Sequence, residues 1–382
     1  MPTLILSLHD SIHAITPADW DACAGDDNPF VSHGFLSALE DSGSVSAQTG
    51  WLPQHAVWRD DAGAVLATAP SYLKSHSYGE YVFDHAWAQA LQQAGGAYYP
   101  KLQTAVPFSP VPGPRLLRRP VTTLGGREIG AGLADICGKL ALSSAHVTFC
   151  SEADYRDLQQ AGWLPRLGTQ YHWPNHNYAD FEGFLAALAS RKRKNIRKER
   201  QQAQENLEFL TLTGPEIEPR HWQAFYEFYV STVDRKWGSA YLTPQFFPLL
   251  AERLGDKVVL MLALQHGDPI AGALNLRGSD ALYGRNWGCH GDWPFLHFEL
   301  CYYRAIDYAI AHGLARVEAG AQGEHKIQRG YLPQPTYSAH WIAHPGLRRA
   351  VSDFLDRERP ALRSEMGALM DLSPYKADTP DD

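Results

Sequence analysis

Residues 258–318 read VVLMLALQHGDPIAGALNLRGSDALYGRNWGCHGDWPFLHFELCYYRAIDYAIAHGLARVE. The stretch opens on the apolar run Val258–Gln265, bounded by turn residues and far too short for a membrane helix, so it predicts a buried strand. His266-Gly267-Asp268-Pro269 is a turn, and Ile270–Arg277 returns as the second strand of a hairpin. Ala281–Trp287 is a third strand. After the loop Gly288–Pro294, apolar residues recur at helical spacing over Leu296–His312, and Ala315–Glu318 forms a further strand. Three antiparallel strands, a helix and one more strand make a compact α/β core.

Upstream in the same half, Phe181–Ala189 and Arg191–Asn206 read as helices and Leu207–Thr213 as a strand. Pro219–Val233 and Pro244–Arg253 read as amphipathic helices. The first half follows a similar plan. Leu4–Leu8 is a strand, Pro17–Cys23 and His33–Ser42 are helices, and Gln54–Trp58 with Ala64–Ala69 form a hairpin over the turn Asp60–Gly63. Ala86–Gln93 is helical, and Val106–Arg115 is a loop or edge strand because its prolines cannot donate to a ladder. Leu133–Leu142 is a helix and Val147–Cys150 a strand. Both halves thus run hairpin, strand, helix, strand, which predicts two related domains, 1–165 and 166–382. The tail after Pro360 is expected to fray.

With 382 residues and 45% hydrophobic content, the chain is long enough for two globular domains. A net charge of −8 leaves no overall basic field for DNA or a membrane surface. The cysteines Cys23, Cys137, Cys150, Cys289 and Cys301 form no C-x-x-C pair, which favours a reducing compartment over a disulfide framework. The N-terminal residues have neither the basic nor the apolar segment of a signal peptide, and no run of about 18 apolar residues occurs. A cytoplasmic chain without stable membrane insertion is expected. The pairs His9/His13, His172/His176 and His340/His344 fall in strand-like or Pro-interrupted stretches, so no metal site is expected.

Three segments of the second half carry a resemblance. They are Ser190-Arg-Lys-Arg-Lys-Asn-Ile-Arg-Lys-Glu-Arg200, the helix Leu296–Gly313, and Glu318-Ala-Gly-Ala-Gln-Gly-Glu-His-Lys326 followed by Arg329-Gly-Tyr-Leu-Pro333. Together they resemble the Fem-like branch of the GNAT acyltransferase superfamily over roughly residues 180–335. The match looks closest to members associated with peptidoglycan biosynthesis or recognition. In the first half it rests on Asn28–Leu36 and Pro107–Leu116. The resemblance implies two tandem GNAT-like domains with mixed, largely antiparallel sheets flanked by helices. It also implies acyl or aminoacyl transfer.

Seven Lys or Arg stand between 190 and 200 against one Glu. On a helix Arg193, Arg197 and Arg200 share a face, with Lys194 and Lys198 beside it, an array suited to phosphate oxygens. A solvated helix face is the plainer reading. Glu318 ends a strand, and the turn after it, with Gln322, brings Glu324, His325 and Lys326 to the mouth of the sheet, where ligands of α/β folds bind. Acyl transfer to an amine needs a proton acceptor, Glu324 or His325, and a group to meet the developing oxyanion, for which the resemblance favours Lys326. A turn with exposed charges is the alternative. Arg329 and Tyr331 are placed to hold the acceptor. Arg285 and Trp287 alternate around Asn286 and are expected to share a strand face and floor a substrate pocket. His297 and Glu299, two apart at a helix start, point in different directions, and a packed role for His297 is as well supported as a substrate contact. Arg127, Gly130 and Gly132 fit the R-x-x-G-x-G loop that holds coenzyme A pyrophosphate, at the opening of a helix.

The residues and the resemblance lead to one expectation. An acyl or aminoacyl group moves from acyl-CoA or aminoacyl-tRNA, a co-substrate, onto an amine, with a cell-wall precursor as the implied acceptor. No prosthetic group is needed, tRNA is a candidate partner, and the sequence leaves the oligomeric state open. A GNAT-fold protein that binds a cell-wall precursor or nucleotide-linked ligand without catalysis is the alternative.

Overall fold

The computed structural model describes residues 4–235, 238, 240–320 and 323–376. Its strands are β1 (Ile5–His9), β2 (Trp51–Pro53), β3 (His55–Arg59), β4 (Val65–Ala69), β5 (Ser71–Lys74), β6 (Lys101–Thr104), β7 (Leu117–Arg118), β8 (Ser144–Cys150), β9 (Leu164–Pro174), β10 (Glu208–Thr213), β11 (Val258–Gln265), β12 (Asp268–Arg277), β13 (Ala281–Cys289), β14 (Arg316–Glu318) and β15 (Leu332–Ile342). Its helices are α1 (Pro17–Ala24), α2 (His33–Asp41), α3 (His85–Gln93), α4 (Gly126–Lys139), α5 (Glu152–Gln160), α6 (Phe181–Ala187), α7 (Ser190–Gln204), α8 (Pro219–Arg235), α9 (Phe246–Leu254), α10 (Leu296–Phe298), α11 (Arg304–Ala311) and α12 (Pro345–Met370). The chain divides into two compact units. One comprises 1–168, 241–246 and 335–363, the other 169–240, 247–334 and 364–382. Beside the expected halves 1–165 and 166–382, the first crossing falls at 168/169, and residues 335–363 return to the first unit.

In the second unit the strand order is β10-β11-β12-β13-β14-β9. The β11–β12 hairpin closes over His266 and Gly267, whose φ of 54° and 86° suit the tight turns that match strand twist. Asp268 and Pro269, expected in the turn, already belong to β12. All pairs are antiparallel except β13 with β14. The connection between those two is α10 (Leu296–Phe298), a π turn over Glu299–Tyr303, and α11 (Arg304–Ala311), running on as one helix. Helix α8 (Pro219–Arg235) lies on β12 and β13, and the approach is close. A Cβ at Gly288 would stand 2.0 Å from the Phe228 carbonyl oxygen. The core gathers Trp173, Phe184, Met261, Leu282, Leu300 and Ile306, all essentially buried.

The first unit contains an antiparallel sheet β1-β3-β4-β7 and a second run of strands β15-β8-β6-β5-β2. Its parallel pair is β6 with β8, connected through α4 (Gly126–Lys139). Both units therefore hold a parallel strand–helix–strand crossover within largely antiparallel sheets, the tandem α+β class expected. The plans differ in one respect. The first unit's hairpin β3–β4 sits in a separate sheet from its crossover, because the chain passes at Pro70 from β4 into β5.

Several elements depart from the sequence expectation. Helix α4 starts at Gly126, earlier than the expected Leu133, since the glycines that read as a loop are helical. Strands β2, β5, β6, β7, β9 and β15 have no counterpart in the sequence reading. Their short or polar sequences lack clean alternation. Residues 345–370 form one helix, α12 (Pro345–Met370), with Pro360 inside it. Proline removes one donor and crowds the preceding turn. Val351 and Leu355 are buried ahead of it with Trp87 and Leu91, and Leu369 is buried in the second unit's core.

Candidate functional site

Parallel pairing of β13 with β14 covers only Ala281–Tyr283 against Arg316–Glu318, although β13 continues to Cys289. The two strands therefore part just beyond Tyr283 and Glu318. A register shift against β12 lies at the same place. Asn275 pairs with Gly284 and Leu274 with Asn286, leaving Arg285 as the extra residue of a bulge. Such bulges re-aim side chains and loosen pairing beside functional sites. The bulge also breaks the alternation expected for Arg285 and Trp287. Trp287 moves to the face of Leu282 and Gly284 and packs on the core, so the two do not floor one pocket.

Past Glu318 the chain bends at Gly320 (φ 79°) and re-enters a six-residue 3-10 turn, Glu324–Arg329, led by Gly323 (φ 112°). Gln322 lies outside the described residues. Lys326 is buried, and its Nζ donates to the carbonyls of Ala319 (2.7 Å) and Gly320 (2.9 Å). Its ammonium thus ties the turn to the end of β14 instead of standing open toward a substrate. Arg329 is also buried. It donates to both Glu199 oxygens (3.1 and 2.8 Å), to Tyr303 Oη (3.1 Å) and to the His325 carbonyl (2.8 Å), over the Phe298 ring at 3.4 Å. Tyr303 also donates to Glu199. Tyr331 is fully buried, donating to the Tyr302 carbonyl at 3.3 Å. Arg329 and Tyr331 are therefore internal braces, whereas Glu324 and His325 are exposed.

His325 Nε2 pairs with Tyr302 Oη at 2.9 Å, and burial followed by the charges of Arg329 and Lys326 pushes its pKa down. His297, partly buried, lies among Trp287, Phe298 and Tyr302 with ring centroids 5.2–5.7 Å away. A half-open aromatic wall of Trp287, His297, Phe298 and His325 results. The π turn helps build it. Widening the helix at Glu299–Tyr303 directs Tyr302 to His325 and Tyr303 to Arg329. Glu299, a substrate-contact candidate from sequence, is instead wholly buried and holds Arg200, Arg304 and Gln204.

Glu318 is 4% exposed and sits where the strands part. Arg316 Nε donates to its Oε1 at 2.9 Å, and Arg316 is itself paired to Asp280. His172 Nε2 stands 3.7 Å from Oε2. Burial raises the Glu318 carboxyl to about 7 against the opposing pull of Arg316. Burial, with Arg316 and Lys326, lowers His172 to about 3, so its ring is neutral.

The basic run forms α7 (Ser190–Gln204). Arg200 turns inward to Glu299 and Asp307, Arg197 pairs with Glu182, and Lys192 with Gln328. Lys194 and Lys198 are exposed and Arg193 is partly exposed, so a basic face remains on this helix. Arg127, Gly130 and Gly132 lie inside α4, not in a loop. Arg127 is exposed, and a Cβ at Gly130 would meet Leu158 at 2.8 Å. These glycines serve helix packing, and their backbone N–H groups are spent in the helix instead of on a pyrophosphate.

The first unit holds a polar cluster that the sequence did not announce. Lys101, fully buried, binds Glu80 (2.7 Å), Asp84 and Ser77 (2.9 Å). Tyr98 donates to Asp84 at 2.7 Å and reaches His146 at 3.2 Å, and His146 meets His340 at 2.8 Å. Lys74, opposite Lys101 across β5–β6, stacks on Trp51 at 3.7 Å, and burial lowers it to about 7. No local motif could reveal residues scattered from 74 to 340.

Among the described residues no helix is long and apolar enough to cross a membrane. No curated protein matches the chain. Among solved structures, the C-terminal domain of a protein from Agrobacterium fabrum, named as a lysylphosphatidylglycerol synthetase, aligns with TM-score 0.55 at 9% identity, covering 88% of this chain and 95% of that one. L-PGS from Bacillus licheniformis aligns with TM-score 0.52 at 9% identity, over 86% and 98%. FemX aligns with TM-score 0.52 at 11% identity, over 88% and 98%. At these identities the likeness is one of fold alone. Sequence goes further, because the pattern of the FemAB-like family, described by peptidoglycan biosynthesis/recognition, matches residues 11–377. The chain belongs to the FemAB-like family.

Proposed function

We propose that the protein transfers an acyl or aminoacyl group onto an amine, with a cell-wall precursor as the acceptor class and acyl-CoA or aminoacyl-tRNA as the donor. The observation that carries this reading is the parted parallel pair β13/β14. It brings the bulge at Arg285, the buried acid Glu318 and the Lys326-fastened turn to one opening. Family membership supports it, as do neighbours named as FemX and as a lysylphosphatidylglycerol synthetase. In this reading the exposed cations of α7 meet donor or acceptor phosphates, and the wall of Trp287, His297, Phe298 and His325 packs against the group carried. Lys326 holds the turn in place, and the oxyanion is met by groups at the parted strands.

The experiment is a single-turnover assay of the full chain with labelled acetyl-CoA and, separately, labelled lysyl-tRNA, each with ethanolamine and with a lysine-containing muropeptide. Amide formation from one donor is expected. Saturable binding of either donor without transfer to any acceptor would replace this reading by that of a ligand-binding protein.

A further inference from the structure

We propose that Glu318 is the proton acceptor for the attacking amine, a role resting on the transferase reading above. It is the last residue of β14, at the point where β13 leaves it. Its Oε1 is held by Arg316, which Asp280 holds in turn, so the carboxylate plane is set from one side. Among the described residues its Oε2 accepts no hydrogen bond, although it is buried. An uncompensated carboxylate oxygen at the end of a central strand carries a desolvation cost, and a substrate N–H would repay it.

The other acids and bases near the turn fit this task less well. Glu324 is exposed, and His325 is engaged with Tyr302. The groups facing Glu318 are Arg316 on its own strand, His172 on β9, Tyr283 opposite on β13, and Asp280 through Arg316. Lys326, on the turn beyond, acts on His172. Arg316 favours the ionised carboxylate, but burial outweighs it and raises the group to about 7. Neutral His172 adds no charge that would hold Glu318 ionised. A carboxyl so balanced takes a proton near neutrality and returns it.

The step conserves atoms and charge. The acceptor's ammonium group gives a proton to Glu318 Oε2, and the neutral amine so formed makes its C–N bond to the carbonyl carbon of a thioester or ester. The C–S or C–O bond then breaks, and the leaving sulfur or oxygen takes the second proton that nitrogen must lose. Glu318 returns its own proton to solvent, restoring the carboxylate. The products are an amide and a thiol or alcohol.

The test uses the full chain, wild type and Glu318→Gln, with the donor that is active above and two acceptors. Ethanolamine is charged at neutral pH and hydroxylamine is neutral there. Glu318→Gln should lower kcat toward ethanolamine by roughly 10²–10⁴ and abolish an acidic limb near pH 7, with donor KM unchanged. Its loss toward hydroxylamine should be much smaller, and Glu318→Asp should recover part of the rate. An infrared difference titration, wild type minus Glu318→Gln, should show a protonated carboxyl band disappearing near pH 7 whether or not substrate is present. Equal losses toward both acceptors, or a retained acidic limb, would overturn the assignment while leaving the transferase intact. Absence of transfer by the wild type from either donor would remove the transferase reading, and this role with it.

Discussion

At Lys326 the ammonium group has two backbone carbonyls within 2.9 Å, and the side chain is almost wholly buried. Removing it leaves the Ala319 and Gly320 oxygens without that donor, a loss of about 1–3 kcal/mol per unmet buried group. Lys326→Met is therefore expected to lower the urea midpoint measurably, with activity falling alongside the order of the turn. Unchanged stability with kcat lowered by roughly 10²–10³ would instead give Lys326 the oxyanion role its sequence position suggested. Glu318 shows the opposite balance. Its folded pKa of about 7 lies above the ordinary 4.5, so the native state binds this proton more tightly than the unfolded chain. Its contribution to stability is therefore greatest at acid pH and is lost as pH rises through about 7. The sequence placed both residues near one turn, but it could not tell the buried acid from the exposed one. Glu318 and Glu324 differ in burial, not in type.

At the scale of elements, the approach of α8 to β13 depends on one missing side chain. Gly288 faces the Phe228 backbone, which α-helical hydrogen bonding holds in place, so the neighbour cannot yield as a flexible side chain would. Gly288→Ala should force the helix off the strand and cost about 1–3 kcal/mol, read as a lower melting temperature. A melting curve superposable on wild type would show that the helix moves at no cost. The bulge at Arg285 and the π turn at Glu299–Tyr303 are a related pair of irregularities, one on the strand and one on the helix beside the opening. Neither has a signature in hydrophobic period. Regular alternation was the natural reading of Tyr283–Trp287, and regular 3.6-residue spacing that of Leu296–His312. Each irregularity redirected side chains, the candidate Trp287 in one case and Tyr302 with Tyr303 in the other.

Over the whole molecule, charge is distributed against its sum. The chain carries −8, yet α7 presents Arg193, Lys194, Arg197 and Lys198 at least partly to solvent. Arg197 already has Glu182 as a partner and Arg200 is committed inward, so fewer cations remain for a polyanion than the seven in the sequence imply. If α7 meets phosphates, Arg193→Ala with Arg197→Ala should weaken tRNA or coenzyme A binding and flatten its dependence on salt. Equal slopes of binding against salt in both proteins would return the run to a solvated helix face. The inward-turned charges are held by tertiary contacts between residues 99–130 positions apart, as in Arg200 with Glu299 and Arg329 with Glu199.

The sequence by itself determined the long, periodic elements of the second unit, the strand–helix–strand order from Ala281 to Glu318, the basic helix and the family. These depend on local hydrophobic spacing, turn chemistry and motif order, which are present in the chain before it folds. Tertiary structure alone decided which charged residues are spent on internal pairing, since that turns on burial and on partners distant in sequence. It also decided that Arg127–Gly132 is helical, that Lys326 binds backbone carbonyls, and that Lys101 gathers Glu80, Asp84 and Ser77. The same holds for Glu318. A glutamate's proton affinity is set by the water it has lost and the hydrogen bonds it has not made, and both exist only in the folded chain.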